Sequence, residues 1–321
     1  MTWVGWRLQR TETLIAAAVL ALLAALLVPT GLIMASAYNH DRLSACVAVG
    51  NLDTSNCGQA LSAFTQRFEQ LGGLFAWFNL VPGLIGVLLA APLIFELENG
   101  TYRLAWTQSI TRGRWLASKL GITVATALLA ATVMTVLVTW WRTPLDHLTG
   151  RLNTNVFDFE GTVVLGYTLF ALGLTLVIGV ISRRTVPALV VGFVGYVVAR
   201  LFVQGWLRQR YETPLSSTTA ATRAGPNLNT AWVLVQEPSD KYGHPPSGVA
   251  NILQSCSNAI GPQTRSISQA CLARHGGGFN HAIYQPASRF WLFQGIETAL
   301  FGGTALALIA FAAWWMHERT S

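Results

Sequence analysis

The sequence predicts an all-α membrane protein, a bundle of six membrane-spanning helices, and three observations predict it. Apolar residues make up 52% of the 321-residue chain and charged residues only 11%. An ordinary soluble domain carries roughly 25% charged residues, so this polypeptide cannot coat a water-facing surface of its size. The apolar residues fall in blocks of about 20, the length at which an α-helix rising 1.5 Å per residue crosses roughly 30 Å of hydrocarbon. These blocks are rich in Leu, Ala, Val and Gly and lack the period-2 alternation of barrel strands. Inside lipid such a run satisfies its backbone N–H and C=O groups only as a helix.

The six blocks are Leu14–Met34, Phe75–Phe95, Leu116–Trp141, Val163–Ile181, Pro187–Leu207 and Phe290–Trp315. The first competes with a signal-peptide reading, because Arg7 and Arg10 precede an apolar run that ends in Ala35-Ser36-Ala37. The run exceeds the roughly 7–15 residues of a typical h-region, and its loss would leave five spans with the chain ends on opposite sides. It is therefore read as a retained span. Residues 1–13, with Trp3, Trp6, Arg7 and Arg10, have the composition of an interfacial anchor helix; a frayed start to the first span is the alternative. The expected organisation is this anchor, spans one to five within 14–207 with a polar connection at 96–115, a segment at 208–289, and the sixth span with its tail at 290–321.

With six spans both termini share a side, and the positive-inside rule tests which. Residues 1–12, 96–119, 182–186 and 317–321 hold nine Lys and Arg in 46 residues, whereas 35–74, 142–162 and 208–289 hold eleven in 143. The first set is expected in the cytoplasm. All four cysteines then lie outside, two in each of two loops, where disulfides persist. The expected pairs are Cys46–Cys57 and Cys256–Cys271, with four unpaired thiols as the alternative.

Between spans two and three, Asn99-Gly100 is a turn signal, and Thr101 and Thr111 are suited to cap helices. The stretch from Glu96 to Trp115 reads as a short amphipathic helix, a break near Ser109–Thr111, and the start of the third span. The segment 208–289 is rich in Pro, Gly, Ser, Thr and Asn and reads as a small disulfide-pinned cap, with one apolar run at Ala231–Val235. In span two, Pro82 with Gly83 and Gly86 predicts a kink, either a gate or a static bend. Gly192, Gly195, Gly302 and Gly303 are expected to let helices pack closely.

No G-x-x-x-x-G-K-[S/T] phosphate loop occurs, nor H-E-x-x-H, C-x-x-C or G-x-S-x-G. The chain offers no catalytic constellation and no expected metal site; His275 and His281 read as solvated. The net charge of +7 is spread through the loops without the concentrated basic and aromatic surface that follows nucleic acid, so no nucleic-acid partner is expected. Arg200 and Glu297 lie inside predicted spans, where ionisable residues are expensive enough to mark function. They are expected to form an ion pair joining spans five and six, with Gln294 adding a hydrogen bond. Snorkelling of Arg200 alone to the headgroups is the alternative.

Several stretches resemble the permease subunits of bacterial ABC-2-type transporters: Glu98-Asn99-Gly100-Thr101, Trp106-Thr107-Gln108-Ser109 and Thr111-Arg112-x-Arg114-Trp115-x-x-x-Lys119. The likeness continues in Gly166-Tyr167-x-Leu169-Phe170-Ala171-Leu172-Gly173, Arg183-Arg184-Thr185-Val186-Pro187-Ala188 and Pro286-Ala287-Ser288-Arg289-Phe290-Trp291-x-Phe293-Gln294-x-x-Glu297. The resemblance implies a multi-pass protein of the bacterial cell membrane with both termini cytoplasmic, surrounded by membrane lipid. It implies a dimer of permease subunits, with this chain as both copies, and a separate ATP-binding cassette ATPase below each. ATP and Mg would sit on that ATPase, leaving this chain with no cofactor and no enzymatic activity of its own. A coupling helix would lie within about Gly100 to Arg112, and the coupling positions are Glu96, Glu98, Gly100, Thr101, Arg103, Thr107, Gln108 and Arg112. The expected function is export of an amphipathic or hydrophobic compound. The competing reading is a membrane sensor whose outer segment binds a ligand.

Overall fold

The computed structural model describes residues 2–41, 43–49, 57–64, 66–68, 79–101, 111–153, 156–220, 226, 228–258 and 269–319. Six of its helices are long and apolar enough to cross a membrane. They are α1 (Thr2–His40), α2 (Val81–Glu98), α3 (Arg112–Thr149), α4 (Val163–Ser182), α5 (Thr185–Phe202) and α6 (Phe290–Arg319). Each coincides with one apolar block of the sequence. The chain divides into two compact units, a helical one made of residues 1–145, 154–211 and 291–321, and a second made of 146–153 and 212–290.

In the helical unit α2 and α4 approach until their backbones nearly touch: a Cβ at Gly86 would stand 2.3 Å from the Thr168 carbonyl oxygen. Gly192 does the same between α5 and α4, where a Cβ would stand 2.2 Å from Thr175 Oγ1. Small residues permit this contact where no hydrophobic effect drives helices together. α1 joins α3 through Trp141, whose Nε1 donates to Thr30 Oγ1 at 2.9 Å. The outward faces stay apolar, as on α5 with Val190, Val194, Val198 and Leu201. A Cβ at Gly302 or Gly303 would meet nothing within 4 Å among the described residues, so the close packing expected of them is not seen there.

Two helix starts differ from expectation. α1 runs unbroken from Thr2, so the anchor is not a separate element; nothing between Trp6 and Leu14 breaks a helix. α2 begins at Val81 with Pro82 in its first turn, where the missing N–H costs nothing. The kink expected at Pro82 is therefore not made, because Pro82 opens the helix instead of interrupting it. At the far end of α2 the Asn99-Gly100 turn is present, with Gly100 at φ +68°. α3 begins at Arg112, and the Thr111 carbonyl accepts from the Trp115 N–H at 3.1 Å. α4 and α5 are joined by Arg183 and Arg184 alone. Arg183 adopts the left-handed conformation at φ 52° and donates its N–H to Gly179 O at 2.8 Å.

The second unit corrects the all-α expectation. It contains a three-stranded antiparallel sheet of β1 (Leu215–Ala220), β2 (Trp232–Ser239) and β3 (Phe279–Gln285) in the order β1-β3-β2. The register runs Leu215↔Tyr284 to Ala220↔Phe279 on one side of β3, and Trp232↔Gln285 to Ser239↔Phe279 on the other, with an irregularity between Val233 and Val235. Only β2 carries the apolar run visible in the sequence. β1, Leu-Ser-Ser-Thr-Thr-Ala, has no apolar alternation and pairs through its backbone and β-branched Thr218 and Thr219. Gln285, fully buried, ties the sheet to the incoming chain by donating Nε2–H to Glu212 O at 2.8 Å.

Cys256, on the helix Val249–Asn258, and Cys271, on Gln269–Arg274, are disulfide-bonded with Cα atoms 5.6 Å apart; Cys46 and Cys57 are likewise bonded at 5.7 Å. Closing a loop of this length stabilises by about 3 kcal/mol in the chain-entropy model. Protein alkylated without reduction is expected to gain no mass, and four alkyl groups after reduction in denaturant. Any alkylation before reduction would remove one of the bridges.

Candidate functional site

At the end of the helical unit where α3 meets α4, two guanidinium groups and two carboxylates are buried together. Arg200 is 5% exposed, Asp158 1%, Arg208 and Glu297 0%. Arg200 Nη2 donates to Asp158 Oδ2 at 2.6 Å and to Asn79 Oδ1 at 2.6 Å, and its Nη1 donates to Asn79 O at 3.1 Å. Arg208 faces Glu297 with a fork, Nε to Oε2 at 2.9 Å and Nη2 to Oε1 at 2.7 Å. Its Nη2 also donates to Asp158 Oδ1, and its plane lies 4.3 Å over the Phe157 ring. The Tyr167 hydroxyl stands among them, within hydrogen-bonding distance of Asp158 Oδ1 at 2.8 Å and of Glu297 Oε1. Tyr211 Oη donates to Glu297 Oε2 at 3.3 Å.

Two positive and two negative groups leave the cluster formally neutral. That balance is what makes four desolvated charges tolerable, because each alone would carry an uncompensated Born cost. Burial pushes the Asp158 carboxyl up, but Arg208 and then Arg200, with hydrogen bonds from Arg200 and Tyr167, hold it below the ordinary aspartate value. Tyr211 is raised, first by burial and then by the Glu297 charge, and stays a neutral donor.

The elements that aim these groups are local irregularities. Asp158 sits in a single 3-10 turn, Phe157–Phe159, between α3 and α4. Gln294 of α6 fastens that turn at both ends: Nε2 donates to Phe157 O at 3.0 Å, and Oε1 accepts from the Val163 N–H at 3.0 Å. From α3, Arg142 pairs with Glu160 at 3.2 Å and the Thr135 hydroxyl reaches Gly161 O at 3.0 Å. Arg208 follows a π-helical turn, Val203–Leu207, that continues α5.

This geometry corrects the expected Arg200–Glu297 pair. Glu297 pairs with Arg208 and Arg200 with Asp158, so the two expected partners belong to one cluster without bonding directly. Gln294 serves the backbone of the Asp158 turn, not the ion pair. Asp158, Tyr167 and Arg208 are functional candidates that sequence reasoning missed. The available signal was an acid between two phenylalanines, Phe157-Asp158-Phe159, and an arginine directly after an apolar block.

At the opposite end of the unit, where α2 meets α3, the two acids at the foot of α2 are both engaged within the chain. Glu96 pairs with Lys119 of α3. Glu98 accepts from the Thr185 N–H at 2.8 Å and from Thr185 Oγ1 at 2.5 Å, so its carboxylate caps the first turn of α5. The Thr101 hydroxyl reaches back to Glu96 O at 3.3 Å beside the Gly100 turn. Arg103, Thr107 and Gln108 lie outside the described residues, as does the Arg112 side chain.

Removing one member of a buried pair is worth about 3–5 kcal/mol because the other charge is stranded. Glu297→Gln and Arg208→Met are each expected to lower the thermal unfolding midpoint in detergent. The Arg208→Met/Glu297→Gln double variant should be less destabilised than the worse single one, since Asp158 keeps Arg200 and Tyr167. A double variant as unstable as the summed singles would refute the pairing.

A family profile described as ABC-2 membrane transporter related matches residues 17–208, more than half of the chain. The matched stretch runs from α1 to Arg208 and takes in Asp158, Tyr167 and Arg200. No curated protein and no solved structure matches the chain. The chain is a multi-pass membrane protein of six apolar helices, and it belongs to the ABC-2 membrane transporter related family.

Proposed function

We propose that this chain is the membrane permease subunit of an ATP-driven exporter that moves an amphipathic or hydrophobic compound. The observation that carries the reading is the family match over residues 17–208, which takes in the first five spans. Nothing in the sequence has the pattern of a phosphate loop, so ATP and Mg belong on a separate ATPase subunit and hydrolysis is that partner's activity. Two copies of the permease enclose the pathway. The excess of Lys and Arg supports a cytoplasmic position for the termini and for the α2–α3 and α4–α5 connections.

The ATPase would grip the coupling segment between Gly100 and Arg112, with Arg103, Thr107 and Gln108 on it. Closure of the ATPase pair then moves a short lever fixed to α2 and α3, a rigid-body transmission. Glu96 and Glu98 act as braces in this scheme. Glu96 locks the foot of α2 to α3, and Glu98 extends the linkage to the first turn of α5. The almost wholly apolar spans favour a lipid-like or drug-like cargo over a small ion.

Co-expression with a candidate ATP-binding cassette ATPase and reconstitution into vesicles is the test. Wild-type complex is expected to show ATP-dependent accumulation of substrate and substrate-stimulated hydrolysis. Glu98→Lys should leave the complex assembled and hydrolysing ATP while transport falls by about tenfold, a loss of roughly 1.4 kcal/mol in coupling. Assembly without any ATP-dependent flux would overturn the permease reading, and full transport by Glu98→Lys would remove the brace.

A further inference from the structure

The π turn on α5 sets which residue faces the buried cluster. An α-helix turns about 100° per residue, so eight residues from Arg200 would leave Arg208 about 80° round from it. Leu207, seven residues on, would fall within about 20° of the Arg200 face. The structure has the opposite arrangement: Arg208 is fully buried in the same cluster as Arg200, and Leu207 is half-buried beside it. The Arg208 N–H bonds to Val203 O, five residues back, and this wide turn absorbs one residue more than α geometry accommodates.

Packing holds only one side of the turn: Val203 is buried, whereas Gly205 is exposed and a Cβ there would meet nothing within 4 Å among the described residues. With Arg208 withdrawn, Asp158 retains Arg200 and Glu297 retains at most the single Tyr167 proton, a cost that the energy of ATP hydrolysis would have to meet. What disappears is the guanidinium fork that ties the end of α5 to α6. Meanwhile the first turn of α5 is held by Glu98, the residue nearest the coupling segment. One helix thus has a grip at its cytoplasmic end and a register with one residue to spare at its outer end.

We propose that the π turn at Val203–Leu207 is a register switch: tightening it to α geometry rotates Arg208 out of the cluster, brings Leu207 in, and releases the outer end of α5 from α6. The assignment of this step to transport rests on the permease reading above.

Deleting Gly205 separates a switch from a passive irregularity. The deletion puts Arg208 seven residues after Arg200, so a plain α-helix keeps it in the cluster with no residue to spare. The variant is expected to retain its unfolding midpoint, and Arg208→Met should lower that midpoint as much in the deletion background as in wild type. Backbone hydrogen exchange over 203–208 in the full-length protein should be faster than over 190–200 and should slow by about tenfold on deletion. In vesicles with its ATPase, the deletion variant should still hydrolyse ATP but transport at least about tenfold more slowly than wild type. Deleting Gln204 instead is the second variant, with the same expectation. Wild-type transport in either deletion variant, unchanged exchange over 203–208, or failure of both deletions to fold overturns the switch. A wild-type complex without ATP-driven flux counts against the permease reading alone, and the exchange comparison then decides the register.

Discussion

A guanidinium placed in hydrocarbon needs a counter-charge and needs it close, and this requirement organises one end of the helical unit. Arg200 demands Asp158, which must be delivered by a turn between α3 and α4. Arg208 demands Glu297, which α6 must present at the matching level. The 3-10 turn at Phe157–Phe159, the π turn after α5 and the Gln294 clamp are the local deformations that bring four charges to one point. Because the sum is neutral and the Tyr167 hydroxyl stands between the two carboxylates, the cluster ties α4, α5 and α6 together at one level, in addition to the close contact at Gly192.

The other end of the unit is fastened differently. There the bonds are a Lys–Glu pair and a carboxylate on a helix N-terminus, made by residues that follow one another at the foot of α2. Such contacts fix helix ends in place, and although Lys119 is as buried as Arg200, its partner Glu96 is only half-buried and Glu98 is exposed. The unit is therefore keyed by buried charge at one end and braced at the other, with α5 common to both.

The six spans were legible because length and hydropathy suffice for them: the bilayer dictates both, and no tertiary information is needed. Arg200 and Glu297 were legible as misfits inside apolar blocks. Their partners were not, for two physical reasons. Assigning everything outside a block to solvated loop placed Asp158 and Arg208 in water, although both are buried. A helical wheel also assumes α geometry throughout, and one π turn invalidates it by nearly a quarter turn. The sheet escaped because β1 and β3 pair across some sixty residues and β1 has no apolar rhythm. Pro82 was misread because a proline marks a kink only in mid-helix, and the true start of α2 lay at Val81, inside an apolar block interrupted only by Asn79.

The connection between α4 and α5 has only two residues, one of them wound left-handed and bonded back into α4. A joint that short has no slack, so the two helices form a single stiff hairpin. Tilting its closed tip by 2° would sweep its open end, about 27 Å away along α5, through roughly 1 Å. That is comparable with the tolerance of a charge-assisted hydrogen bond, so leverage in the hairpin turns a barely perceptible nudge at the tip into a decisive displacement at the far mouth.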